Sequence, residues 1–146
     1  MAEYCSEDDL ILIRPGILDL GVLDWSAQIV EMGKILDRAI EVQWYRNVAD
    51  DNAVDWRTTL FDRELLSNAE EQLTRVACYK TLELIFMFLM KHRANDAFAT
   101  ERELFAKLYK EELREVMIAG LDYDWDDDGL GTDEISVLRV RRLVRV

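Results

Sequence analysis

The chain of 146 residues carries one histidine, two cysteines and six glycines, and it has no apolar run long enough to cross a bilayer. Each shortage removes a class of function. With His92 as the only histidine, no Glu-x-x-His pair exists, so the carboxylate and histidine di-iron site of helical bundles cannot be assembled. His92 itself stands between Lys91 and Arg93 at a helix end, where a cation beside the C-terminal dipole is the plain reading. Cys5 and Cys78 are too few for a disulfide-stapled secreted scaffold, and neither has a neighbouring base in sequence. Cys78 reads as a small core residue and a reducing compartment is expected. No Gly-rich phosphate loop is present. The start, MAEYCSEDD, lacks the basic and apolar regions of a signal peptide, so a cytosolic or host-intracellular location is expected.

The longest apolar stretch, Leu82 to Met90, is nine residues interrupted only by Glu83, far short of the roughly 20 needed for a membrane span. It is the second half of the segment 68 to 91, around which the chain is organised. A helix apolar almost all round belongs in the middle of a fold. Ser67, three residues before Glu70, has capping-box spacing for its start. Glu83, the one acid in the run, is expected to pair with an Arg or Lys of a neighbouring helix or subunit.

Two more helices are legible. Over 26 to 47, with Asp24 or Ser26 as cap, Ile29, Met32, Gly33, Leu36, Ile40 and Trp44 share one face. Over 101 to 119, Leu104, Phe105, Leu108, Tyr109, Leu113, Val116 and Met117 repeat at helical spacing. Thr100 and Glu103 suggest its start, and Gly120 its left-handed C-cap. Residues 1 to 23 read as a short helical turn or an extended arm, with a turn at Pro15-Gly16, and 48 to 66 as a loop with a helical turn near 58 to 66. RANDAFA at 93 to 99 reads as a connector. Trp25, Trp44, Tyr45 and Trp56 are divided between core and interface. Half of the residues are hydrophobic, enough for one core. The expected fold is mainly α: a small bundle of three to four helices over 1–120 with an N-terminal arm (1–23), then an acidic loop and an extended, strand-like C-terminal tail over 121–146.

Charge is unevenly spread. Net charge is -12, but residues 135 to 146 hold Arg139, Arg141, Arg142 and Arg145 and no acid, so removing that +4 leaves -16 on residues 1 to 134. An acidic body does not grip a phosphate backbone. A basic strip at its end suggests docking on an acidic surface, with another copy of the same chain the nearest candidate. The last twelve residues, ISVLRVRRLVRV, are β-branched and alternate, which reads as a strand. A lone strand needs a partner, either another chain or an earlier segment such as residues 8 to 14. Leu138, Arg139, Val140, Arg141, Arg142, Leu143, Val144 and Arg145 are therefore the candidate interface residues.

The sharpest chemical pattern is Asp124-x-Asp126-x-Asp128-Gly129, oxygen ligands at alternate positions followed by a glycine, as in a calcium loop. Position 12 is then Ile135, and the acid that should bind there, Glu134, comes one residue early. A cation such as Ca2+ held by Asp124, Asp126 and Asp128 and a solvated acidic linker folded by Asx-turns both stay open, the linker being simpler. No other cofactor is expected.

Three stretches, RPGILDLGVLDW, ACYKTLELIFMFLMK and KLYKEELREVMIAGLDYDWDDDG with its basic apolar end, together resemble the head-tail connector proteins of tailed bacteriophages, also called adaptor or head completion proteins. The resemblance implies a structural virion protein of the neck without an active site, assembled in the host cytoplasm. It implies a ring, commonly dodecameric, that joins the portal to the next neck or tail component. DNA would pass through without sequence-specific binding, and no membrane would be involved. Residues 135 to 146 look like the tail that docks on the portal or the adjacent subunit. Two other classes make different predictions: a calcium-stabilised binding or regulatory module implies ion-dependent melting, and a small carboxylate enzyme implies turnover.

Overall fold

A computed structural model of the protein describes residues 3–22, 24–92, 95–127 and 135–136. Its helices are α1 (Glu7–Ile13), α2 (Ser26–Ile40), α3 (Arg46–Val48), α4 (Ala69–His92) and α5 (Asp96–Ala119). A π-helical turn over Glu41–Tyr45 joins α2 to α3, so the two form one rod. The architecture is a small, mainly helical bundle in which α4 packs against α1, α2 and α5.

The sequence explains why α4 is central. Leu82, Ile85, Phe86 and Leu89 are fully buried, each contributing roughly 1.5–3 kcal/mol of apolar burial. Phe86 stacks on Phe105 of α5 at 5.9 Å with an interplanar angle of 5°, and its ring lies 5.9 Å from that of Phe98. The first half of α4 is as well buried, through Leu73, Val76, Ala77 and Cys78. The second half is less enclosed than its composition implies. Leu84, Met87 and Phe88 are half-buried beside Ala27 and Gln28 of α2 in an open groove of about 210 Å³, and Met90 is 40% exposed.

Every apolar position of the α2 face, from Ile29 to Trp44, is buried as its spacing requires. The helix ends differ from expectation. Helix α4 starts after Asn68, whose amide nitrogen lies 3.3 Å from the Glu71 carboxylate, while Ser67 spends its backbone N–H on Asp122 instead. Helix α5 starts after Asn95, whose side chain accepts from the Ala97 N–H at 3.0 Å. Thr100 is thus inside the helix, and Phe98 of the supposed connector joins the core. For α2, Asp24 accepts from the Ser26 N–H at 3.1 Å, and Trp25 is the N-cap residue.

Of the two readings of the N-terminal stretch the helical one holds: Glu7–Ile13 is a packed helix and not an extended arm. Ser6 and Asp9 form a reciprocal capping box at the start of α1, and Leu10 and Ile17 are fully buried. Arg14 ties the end of α1 to α5 through a forked ion pair with Glu101, at 2.9 and 3.3 Å. Trp25 is fully buried and donates its indole N–H to the Ile17 carbonyl at 3.0 Å.

Candidate functional site

Residues 120 to 125, which follow α5, form the root of the C-terminal segment and are fastened to the bundle. Gly120 ends α5 with φ 90° and ψ 159°, a conformation open almost only to glycine and different from the left-handed cap expected. It turns the chain into the short strand β1 (Leu121–Asp122), which pairs antiparallel with β2 (Ile135–Ser136), placing Leu121 opposite Ser136 and Asp122 opposite Ile135. The Asp122 carbonyl accepts from Ser67 at 3.0 Å, and the Asp124 N–H donates to the Leu65 carbonyl at 2.8 Å, so Leu66 bridges to Tyr123. Gln72 of α4 completes the anchorage. Its side-chain oxygen accepts from the Asp122 N–H at 3.0 Å and its nitrogen faces the Gly120 carbonyl at 3.4 Å.

Rings clamp this root. Tyr123, 2% exposed, has Trp125 at 4.7 Å, Phe61 at 5.7 Å and Tyr45 at 5.7 Å. Tyr45 stacks on Trp125 at 5.5 Å and 6°, and Trp44 lies 5.7 Å from Trp125. Trp44 and Tyr45 are consecutive, and the π turn that contains them brings both into the core. Each aromatic pair is worth about 0.5–1.5 kcal/mol beyond its area. Acidic composition reads this stretch as a loop, whereas Leu121, Tyr123 and Trp125 alternate with acids at strand period. Trp56 is half-buried, with the guanidinium groups of Arg46 and Arg57 each 4.8 Å from its ring centre.

Burial pushes the Tyr123 phenol up from 10.0 to about 12, partly offset by the Asp62 N–H that it accepts, and burial also raises Tyr4, Tyr45 and Tyr109. A raised folded-state pKa favours the neutral phenol, so this stability is complete below pH 10 and is lost as pH climbs from about 10 to about 12. We expect the melting temperature to fall over that window, and Tyr123→Phe to flatten the fall. An unchanged pH profile in the variant would show that Tyr123 is not buried.

A polar node holds the other side of the bundle. The Tyr4 hydroxyl donates to Asp37 of α2, and the Arg63 guanidinium grips the same carboxylate from Nε, at 3.1 and 3.2 Å, and Nη2. Arg63 also lies 4.6 Å from the Tyr4 ring centre. Gly33 makes room for it, since a Cβ there would stand 2.9 Å from Nη2. Asp37→Asn should cost about 1–3 kcal/mol, less than a deeply buried pair because the two side chains keep 33% and 20% exposure. Denaturant titration should show Tyr4→Phe costing less in that background than alone; additive losses would mean that the three groups are not coupled.

Glu83, 8% exposed, pairs with Lys80 at 3.0 Å, one turn earlier on α4 itself, where a partner from a neighbouring helix or subunit was expected. Lys80 lies 4.8 Å from the Tyr109 ring centre. His92 ends α4 with its ring 4.3 Å from Phe88. Of the calcium-loop residues, Asp124 is 6% exposed and Asp126 is exposed, while Asp128, Gly129 and Glu134 lie outside the described residues. Among the described residues no three His, Cys, Asp or Glu side chains converge as metal ligands. Of the candidate interface, Leu138 to Arg145 also lie outside them. Residues 8 to 14 are not the strand partner: they form α1 and its cap.

No family model, curated protein or solved structure matches this chain. No described helix is long and apolar enough to cross a membrane. Sequence reasoning missed Gln72, Asp37, Arg63 and the Tyr123 cluster; only the last had a signal in sequence, the alternation of rings with acids.

Proposed function

We propose that the protein is a structural component of a tailed-phage neck, a ring that joins the portal to the next connector component around the DNA channel. Its partners are the portal, neighbouring copies of itself and the following neck or tail component. It acts in the virion neck, after assembly in the host cytoplasm, without turnover and without reading a DNA sequence.

One observation carries this reading: a segment with four arginines and no acid continues from a root clamped onto a body of charge -16. A head-to-tail ring needs two different, complementary surfaces on each copy, and an acidic body with a basic end supplies that pair. An acidic channel wall also avoids retaining passing phosphates. Exposed Leu12, Leu60 and Leu104 are ordinary singly, and they offer apolar contacts at such interfaces.

Negative-stain imaging of portal rings mixed with the protein tests the reading. Extra density forming a closed ring on the tail-facing side of the portal is expected. Portals of unaltered outline at saturating protein would contradict it.

A further inference from the structure

The segment preceding α1 lies along α4 and touches it at two points. The Thr74 hydroxyl lies 3.3 Å from the Tyr4 carbonyl, and the Cys5 sulfur lies 3.5 Å from the Thr81 hydroxyl oxygen. Cys78 stands four residues after Thr74 and three before Thr81, hence on the same helix face, between the two contacts. Cys5 is thereby brought onto Cys78. Both thiols are free and buried, 3% and 0% exposed. A cleft of about 180 Å³, lined by Glu3, Cys5, Asp9 and Glu70 among others, leads from solvent to Cys5 and not to Cys78.

We propose that Cys5 and Cys78 are a thiol–disulfide clip, which fastens the N-terminal segment to α4 when the protein meets a small disulfide oxidant of the glutathione class. The Cys5 thiolate attacks one sulfur of the oxidant, forming a mixed disulfide and expelling one small thiolate. Cys78 then attacks the Cys5 sulfur, and its proton leaves with the second small thiol. Two protein thiols become one disulfide, and one small disulfide becomes two thiols. Cys5 leads because it faces the cleft and because hydrogen bonds, from Cys78 first and then Thr81, lower its pKa. Cys78, whose pKa is raised by its bond to Cys5 and by burial, is the resolving thiol. Thr81 is not stranded when Cys5 moves, since its hydroxyl also bonds the Ala77 carbonyl at 2.8 Å.

In the reduced form the segment can peel from α4 at the cost of these local contacts. In the oxidised form it is tied, and the closed loop restricts the unfolded chain as well. The clip stands independently of the ring reading.

The test incubates the native full-length protein with oxidised glutathione, denatures it in acid, alkylates the remaining thiols and maps the peptides by mass. Expected are loss of both alkylatable thiols, no retained glutathione, a Cys5–Cys78 peptide pair, and a rise in melting temperature that dithiothreitol reverses. Cys78→Ser should trap glutathione on Cys5, and Cys5→Ser should stay unmodified over the same time. The peptide map of the unaltered protein decides the matter even if a variant fails to fold. Two intact thiols, a lasting glutathione adduct, a disulfide between chains, or a bond that forms only in denaturant would each overturn the clip.

Discussion

Replacing Phe86 by alanine should destabilise the protein by roughly 3–5 kcal/mol. The ring is fully buried at the crossing of α4 and α5, parallel to Phe105 and beside Phe98, and the Arg14 guanidinium lies 5.9 Å from its centre. Truncation removes the transfer energy of the ring and opens a cavity whose walls are themselves large and fixed: Leu82, Ile85 and Leu89 are on the same rigid helix. Little collapse is therefore available, which places the cost toward the upper part of the range. Since a domain of this size holds only about 5–15 kcal/mol in total, the variant should melt far earlier or fail to fold. A loss below about 1 kcal/mol in chemical denaturation would mean that the apolar run is a surface and not the centre of the bundle.

Removing residues 137 to 146 should have the opposite profile, with little effect on the fold and a complete loss of incorporation beneath the portal. The anchorage of the root does not need those residues. Gln72, the ring cluster and the pairing of β1 with Ile135 and Ser136 all lie before the cut. Melting should therefore stay within about 0.5 kcal/mol of the full chain. Substituting Arg139, Arg141 and Arg145 by glutamate should weaken assembly more than substitution by alanine, since repulsion is added to lost attraction. For three rim contacts the alanine loss is roughly 1–3 kcal/mol, and salt should reduce it. A truncated chain that melts much earlier yet still joins the portal would mean that the tail only closes the fold.

The helices were legible in the sequence wherever a single face decides burial. Ile29, Met32, Leu36 and Ile40 are buried because a 3.6-residue period leaves them no other side of α2 to occupy. Helix α5 was placed correctly in its middle and wrongly at its start, because Asn95 and Asp96 read as loop residues when they are a cap and a first turn. Leu104 also fits the period, yet it is 50% exposed. The root of the tail was hidden by its own charge. In LDYDW two acids mask the alternation, although strand pairing and ring stacking depend on the alternate positions alone. The node of Tyr4, Asp37 and Arg63 joins residues far apart in sequence and left no local pattern. The pairing of Glu83 with Lys80 was within reach, as the two are spaced for one helix face.

The most direct measurement of the central claim is the mass, by light scattering in low salt, of the portal ring alone and with the full-length protein. A complex heavier by a whole ring of copies, lost on raising salt and absent with the chain cut after Ser136, is the result predicted here. A portal of unchanged mass beside free monomer, at every salt concentration and protein excess, would contradict it.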